Sequence, residues 1–223
     1  MENLINRKAI MDFTDIILAG RKKEGEELTN KLLDTGTGIF NIYENLFKDS
    51  LYEIGLLWEM NKISVAAEHI ATATVEGLMN DLYPTLPHTK LNNRKVVLGC
   101  VENELHQVGI KMVGDVFESL GWETYFLGSN NSNDALLNYI ELVKPDMVAI
   151  SLSVYFNMAT FIGLLNKINL AFPSLPVIVG GQAFNHLDVN RPDGIELSQY
   201  HPGTKYYSNL RTLEAALTAS YLS

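Results

Sequence analysis

A glutamate and a histidine, two residues apart, follow an apolar segment in the second half of the chain. The stretch VENELHQVG places Glu104 before His106 and Gly109 three residues after it. A carboxylate that accepts the Nδ1 proton of an imidazole fixes the tautomer and makes Nε2 a better metal donor. One histidine is too few ligands for a structural zinc. The pair therefore suits a metal that arrives in a macrocycle with a free axial position, unless His106 simply caps the helix that follows.

Two further elements lie at the ends of predicted strands later in the chain. Ser151-Leu152-Ser153 ends the apolar run DMVAISL, and Gly180-Gly181 ends the run PVIVGG. Glycine permits a ligand to approach the backbone closely, and a serine hydroxyl supplies an adaptable hydrogen bond. Neither the glycine pattern of a dinucleotide fold nor a phosphate loop follows the first strand, which makes a phosphate-cradling site a weak interpretation.

The first part of the chain has the periodicity of helices. From residue 2 to about residue 83, apolar residues recur at spacings of three and four, and the alternation of a strand is missing. Glycine and asparagine breaks divide this region into four predicted helices, near 3–19, 22–34, 37–60 and 63–83. They predict an antiparallel four-helix bundle over residues 1–86, followed by a proline-containing linker at 84–94.

The second part alternates short β-rich runs with helical patterns. The predicted strands are 95–101, 123–128, 146–152, 176–181 and a last one around 194–197, and the predicted helices are 106–120, 132–143, 157–171 and 208–222. Strands that are apolar on both faces predict a parallel sheet covered on both sides, an α/β Rossmann-like (flavodoxin-like) domain over residues 92–223. Ligands of such sheets bind beyond the carboxyl ends of the strands, where His106 lies.

Composition excludes several classes of function. The 223 residues carry a net charge of −9, and neither half has an excess of basic residues, so an electrostatic footprint for nucleic acid is missing. Cys100 is the single cysteine, which excludes a disulfide within the chain and predicts a buried, inert thiol. Because the sequence has no signal peptide and no apolar run of about 20 residues, we expect a cytoplasmic protein that does not enter a membrane.

The three spaced elements together resemble a cobalamin-binding signature, D/E-x-H-x-x-G, S-x-L and G-G. This signature belongs to the domain shared by methionine synthase, methyltransferase corrinoid proteins and cobalamin-dependent photoreceptors. Ser153 stands where the pattern has leucine, and Glu104 stands where aspartate is commoner. The resemblance implies that His106 is the lower axial ligand of cobalt and that Glu104 orients it. It also implies that the nucleotide tail is contacted by Gln107, Val108, Gly109, Ser151, Ser153, Gly180 and Gly181.

A second resemblance concerns the helical part. Trp58, nine intervening residues and then Glu68-His69 resemble the cap bundle of CarH-type light-sensing regulators and AerR-type antirepressors. This resemblance implies that Trp58 covers the upper ligand and that Glu68 accepts hydrogen bonds from ribose hydroxyls, which favours adenosylcobalamin over methylcobalamin or hydroxocobalamin. Glu59 follows Trp58 where a photoreceptor can use a histidine, so His69 remains the candidate for a second histidine ligand. The other interpretations are a core tryptophan and a surface Glu-His pair.

The resemblances imply a light sensor rather than an enzyme. We expect it to regulate transcription indirectly, through homo-oligomerisation or a regulatory protein partner, and without direct binding of nucleic acid, because the sequence begins with the cap. The alternative is a corrinoid carrier in a methyltransferase system. A third possibility is a sensor that uses haem or another ligand in place of cobalamin.

Overall fold

The computed structural model describes residues 5–186 and 196–219. The chain separates into two compact units, residues 1–86 and residues 87–223. Within the described residues the first unit is helical, and the second contains a parallel sheet flanked by helices. The predicted fold class is confirmed.

The first unit is built from four helical segments in its described part. They are α1 (Arg7–Leu18), α2 (Lys22–Asp34), a continuous third segment made of α3 (Ile39–Ile42), a π-helical stretch (Tyr43–Phe47) and α4 (Lys48–Glu59), and α5 (Val65–Leu82). The rings of Phe13 and Phe47 stack 5.3 Å apart, and those of Tyr43 and Phe47 stack 5.7 Å apart. All three side chains are fully buried. Their burial holds α1 against the third segment.

A tight turn joins the end of α4 to the start of α5. Asn61 adopts a left-handed conformation with φ +55°, which asparagine tolerates better than most residues. Its N–H donates to the carbonyl of Trp58 at 2.8 Å. Ser64 then caps α5, its hydroxyl accepting from the N–H of Ala67 at 3.2 Å. The last turn of α4 and the first turn of α5 therefore lie at the same end of the bundle.

Several residues of the segment predicted as a linker, 84–94, make defined contacts. A 3-10 turn spans Tyr83–Thr85, and Leu86 is buried. Further on, the Thr89 hydroxyl donates to the carbonyl of Ser119 at 2.8 Å, and the Asn92 N–H donates to the carbonyl of Gly121 at 2.9 Å. Residues 89–92 are thus fixed to the second unit.

The sheet of the second unit has the strand order β2-β1-β3-β4-β5, with all pairs parallel. Its strands are β1 (Lys95–Cys100), β2 (Glu123–Gly128), β3 (Met147–Ser151), β4 (Val177–Gly180) and β5 (Thr204–Tyr206). The flanking helices are α6 (Val108–Ser119), α7 (Asn133–Val143), α8 (Met158–Ala171) and α9 (Leu210–Ala219). This order places the topological switch point between β1 and β3.

The position predicted for the last strand is wrong. Of residues 194–197, the first two lie outside the described residues, and Leu197 begins a 3-10 turn. The edge strand is instead Thr204–Tyr206, which pairs with β4 alone. A three-residue strand at the edge of a sheet is too short to produce a readable alternation.

Candidate functional site

The loop after β1 is organised around the carboxylate of Glu104, which is fully buried. Its Oε1 accepts a hydrogen bond from the His106 N–H at 3.0 Å and lies 2.5 Å from the Nδ1 atom of the same residue. Its Oε2 accepts from the backbone N–H groups of Ser153 and Val154, each at 2.9 Å. One carboxylate therefore joins the β1 loop to the β3 loop and fixes the imidazole.

The charge on Glu104 is stabilised in the folded protein. Burial by itself would raise the pKa of this carboxyl, but the hydrogen bond from His106 and those from the backbone N–H groups of Val154, His106 and Ser153 lower the pKa below its usual value. An ionised carboxylate at Nδ1 holds the proton there and leaves the lone pair on Nε2. The His106 side chain is 52% exposed. It therefore presents an imidazole suited to ligate a metal brought by a ligand.

Local backbone geometry shapes the same loop. Asn103 adopts a left-handed conformation with φ +68°, and the Glu104 N–H donates to the carbonyl of Val101 at 3.0 Å. The Cys100 thiol donates to the carbonyl of His106 at 3.4 Å. Burial raises the pKa of this thiol to about 12, so it stays a neutral donor. The helix begins immediately afterwards, with Gln107 at the N-cap position of α6.

The serine and glycine elements meet at the same edge of the sheet. In the strand register Ser151 pairs with Cys100 on one side and with Gly180 on the other. A Cβ atom on Gly109 would lie 3.9 Å from the Ser151 hydroxyl, so the start of α6 adjoins the end of β3. Gly181 has φ +122°, and a Cβ atom there would come within 2.2 Å of the Leu152 carbonyl. This position requires glycine.

Ser153 contributes through its backbone rather than through its side-chain type. Its N–H is one of the donors to Glu104. Any residue except proline supplies that donor, which explains why serine is accommodated where the signature has leucine.

Gln107 and Val108 do not share one role. Val108 is buried at the start of α6. The Oε1 atom of Gln107 accepts from the N–H and the hydroxyl of Ser129, at 3.2 and 3.3 Å, in the loop after β2. Sequence reasoning missed Ser129, because nothing in the sequence signals which loop a glutamine will reach.

Exposed apolar side chains occur in the loops after β1 and after β3. Leu105 is 65% exposed and Phe156 is 91% exposed, with Tyr155 also exposed. Phe156 and Tyr155 are therefore not core residues, although aromatic residues after a strand usually are. Both side chains are thus exposed close to Ser153, beyond the carboxyl end of β3, where a ligand of the sheet would meet them.

The three residues singled out in the helical unit lie at one end of the bundle. Trp58 is 48% exposed in the last turn of α4, so it is not a core tryptophan. In the first turn of α5, Glu68 Oε2 lies 2.6 Å from Nδ1 of His69, and Glu68 Oε1 accepts from the Thr72 hydroxyl at 2.8 Å. The imidazole of His69 is thus oriented by a carboxylate, as that of His106 is.

The described residues contain neither a cluster of metal ligands nor a membrane-spanning helix. In residues 5–186 and 196–219, no group of three or more His, Cys, Asp or Glu side chains is placed to hold a metal ion. In the same part of the chain no helix has the length and apolar character needed to cross a bilayer. The His106 imidazole, oriented by Glu104, fits a metal that needs one imidazole ligand, as the cobalt of a corrinoid does.

The strand order is that of a flavodoxin-like doubly wound domain, whose ligands bind at the switch point, and here a carboxylate-oriented histidine lies at that point. Comparison with protein families agrees. A B12 binding domain model matches residues 94–195, and a second B12 binding domain model matches residues 10–83. The chain therefore belongs to the cobalamin-binding proteins that combine a helical domain with a Rossmann-like domain, and the resemblance seen in the sequence is confirmed.

Two relatives are transcriptional repressors of Myxococcus xanthus. The chain is 28% identical over 159 residues to the HTH-type transcriptional repressor CarA, covering 71% of this chain and 54% of the repressor. It is 27% identical over 142 residues to the HTH-type transcriptional repressor CarH, covering 63% of this chain and 47% of the repressor. The chain spans about half the length of these relatives.

The fold is also found in a solved structure, the monomethylamine corrinoid protein of Methanosarcina barkeri. The similarity has a TM-score of 0.75 at 18% sequence identity, and it covers 98% of this chain and 100% of the other. At this identity the similarity shows the fold alone.

Proposed function

We propose that this protein is a cobalamin-dependent light sensor that regulates transcription indirectly, through homo-oligomerisation or a regulatory protein partner, and is not an enzyme. The observation that carries cobalamin binding is the buried Glu104 carboxylate on Nδ1 of the half-exposed His106. The similarity to the CarA and CarH repressors supports a regulatory role.

In this proposal His106 would ligate the cobalt of a bound cobalamin through Nε2. Glu104 fixes the tautomer that puts the lone pair on Nε2, and it prevents rotation of the ring. The proposal places the nucleotide tail beside Ser151 and the glycines at 109, 180 and 181, at the carboxyl edge of the sheet. Gln107, Val108 and Ser153 support these elements from the start of α6 and from the β3 loop.

The helical unit supplies the contacts to the upper ligand. The exposed indole of Trp58 offers a flat apolar surface, and Glu68 is an acceptor for ribose hydroxyls. This combination favours adenosylcobalamin. When bound, that cofactor would supply a cobalt–carbon bond that green light can break.

The light response is tested with protein loaded with adenosylcobalamin in the dark. We expect green light to change the absorption spectrum and size-exclusion chromatography to show a changed oligomeric state or partner binding. Trp58→Ala should weaken adenosylcobalamin binding relative to hydroxocobalamin, while Met11→Ala, an exposed apolar side chain on α1, should not. A spectrum that light leaves unchanged would rule out light sensing.

The alternative is a corrinoid carrier in a methyltransferase system. The same His106 loop motivates it, and a monomethylamine corrinoid protein has the same fold. Stable methylation of the reduced bound cobalt by a cognate methyltransferase, with no response to light, would favour the carrier. The absorption spectrum of the isolated complex also tests for haem, because haem and corrinoid bands differ.

A further inference from the structure

We propose that Gln107 is a positioning residue for the His106 imidazole, and that it acts by tying the β1 loop to the β2 loop rather than by contacting the ligand. This inference rests on the proposed role of His106 as the cobalt ligand. It assigns a function to the loop after β2, which the cobalamin-binding signature does not include.

The first observation is where the side chain of Gln107 is directed. Gln107 occupies the N-cap position of α6, but its side chain makes no capping hydrogen bond. Its Oε1 atom accepts instead from the N–H and the hydroxyl of Ser129. Gly128 has φ +67°, and a Cβ atom there would lie 2.6 Å from that Oε1 atom. The β2 loop therefore makes room for this side chain and binds it.

A second hydrogen bond joins the β1 loop to the β2 loop. The N–H of Asn130 donates to the backbone carbonyl of Glu104 at 3.2 Å. The Asn131 side chain donates to the carbonyls of Leu127 and Ser129 at 2.9 and 3.0 Å, which makes the β2 loop rigid. The β1 loop is thus bonded to an ordered neighbour at residue 104 and again at residue 107.

His106 lies between the hydrogen bonds to the β2 loop and those to the β3 loop. Glu104 connects it to the N–H groups of Ser153 and Val154, and Gln107 connects it to Ser129. The histidine backbone is therefore held from both neighbouring strands. A metal ligand has to be placed within a few tenths of an ångström, so loss of one tie should reduce ligation even though the imidazole itself is unchanged.

Substitution of Gln107 tests the role directly, with hydroxocobalamin as the probe. Gln107→Leu removes the acceptor and leaves the Ser129 N–H unpaired. We expect the affinity to fall on the order of tenfold, the usual effect of losing a group that orients a metal ligand. The absorption spectrum should show a larger fraction of bound corrinoid without histidine ligation. Gln107→Glu retains an acceptor oxygen and should restore both readouts.

Two further variants keep the test informative. Ser129→Ala removes the hydroxyl donor and keeps the backbone N–H donor. Its spectrum should therefore lie between those of the wild-type protein and Gln107→Leu. Gln199→Leu is the matched control, because Gln199 is exposed and its amide donates locally to Glu196 at 3.1 Å. Should Gln107→Leu fail to fold, the Ser129→Ala spectrum decides the question.

The outcomes separate this inference from the proposed function. A histidine-ligated spectrum and unchanged affinity in both Gln107→Leu and Ser129→Ala would overturn the inference alone. Failure of the unchanged protein to bind hydroxocobalamin, or binding that His106→Ala leaves intact, would overturn both.

Discussion

Glu104 combines two tasks: it orients the His106 imidazole, and it joins the β1 loop to the β3 loop. A buried carboxylate is unfavourable unless donors replace its lost water, and here a side-chain Nδ1 and three backbone N–H groups do so. Aspartate, the commoner residue at this position of the signature, has a shorter side chain. In this chain the carboxylate of the longer glutamate accepts hydrogen bonds from its own loop and from the β3 loop.

Replacing Glu104 should therefore affect the protein even without a ligand. In Glu104→Gln an amide N–H₂ group replaces one of the two carboxylate oxygens. Both oxygens accept from N–H donors, so whichever of the two positions the N–H₂ group takes, it faces donors and buried hydrogen bonds are lost. We expect the free energy of unfolding to fall by about 1–3 kcal/mol in denaturant titrations. Glu141→Gln, at an exposed position of α7, is the control and should leave the midpoint unchanged. Equal stability of the two variants would contradict the role given to Glu104.

Cys100 offers a second test at the level of one residue. Its pKa is raised to about 12 by burial, whereas an ordinary thiol titrates near 8.5. Below the raised pKa the folded protein holds almost no thiolate, so a thiol reagent at pH 8 should react only after unfolding in denaturant. Fast stoichiometric labelling of the native protein at pH 8 would show that the thiol is accessible and ionised.

Among the elements, helices with clear boundaries are predictable from the sequence and irregular segments are not. The helix predicted at 22–34 is observed as Lys22–Asp34, because glycines with positive φ end the neighbouring turns at Gly20 and Gly36. The edge strand Thr204–Tyr206 has too few residues for a periodic signal. The prolines and weak periodicity at 84–94 predict a linker, and the sequence does not reveal that residues 89–92 are fixed, because Thr89 and Asn92 donate to the carbonyls of Ser119 and Gly121, far along the chain.

The same limit applies to the site. The spacing of Glu104 and His106 is visible in the sequence because the chemistry depends on those side chains. The donors on Ser153 and Val154 are backbone N–H groups, which every residue but proline has, so no sequence pattern marks them. The Gln107–Ser129 contact joins residues 22 positions apart and depends on how two loops fold together.

A substitution at Gly181 tests the glycine element at the end of β4. Gly181→Ala would place a Cβ atom against the Leu152 carbonyl at a positive φ, and we expect a loss of stability on the order of 1–3 kcal/mol in thermal unfolding. Gly163 in α8 is the matched control, because nothing lies within 4 Å of the position that a Cβ atom would occupy there. Gly163→Ala should stabilise by about 0.5–1 kcal/mol. Similar effects of the two substitutions would contradict the constraint at Gly181.

At the scale of the whole molecule, each unit carries one imidazole oriented by a carboxylate, Glu68–His69 in the helical unit and Glu104–His106 in the sheet unit. Each unit also matches its own B12 binding domain model.

Cobalamin binding should stabilise the folded chain. A ligand at about 100 times its dissociation constant adds about 2.7 kcal/mol to the free energy of unfolding. We expect hydroxocobalamin to raise the melting temperature of the unchanged protein and of His88→Ala, which alters an exposed histidine. The increase should be much smaller for His106→Ala. An equal increase in all three proteins would mean that His106 does not take part in binding.

The most direct measurement is the electron paramagnetic resonance spectrum of the protein loaded with cob(II)alamin. Ligation by His106 should give a superhyperfine triplet from one axial ¹⁴N nucleus, and the triplet should become a doublet when the protein's histidines carry ¹⁵N. A triplet that persists with ¹⁵N-labelled histidine would show that the cofactor's own base still ligates cobalt, and the role assigned to His106 would be contradicted.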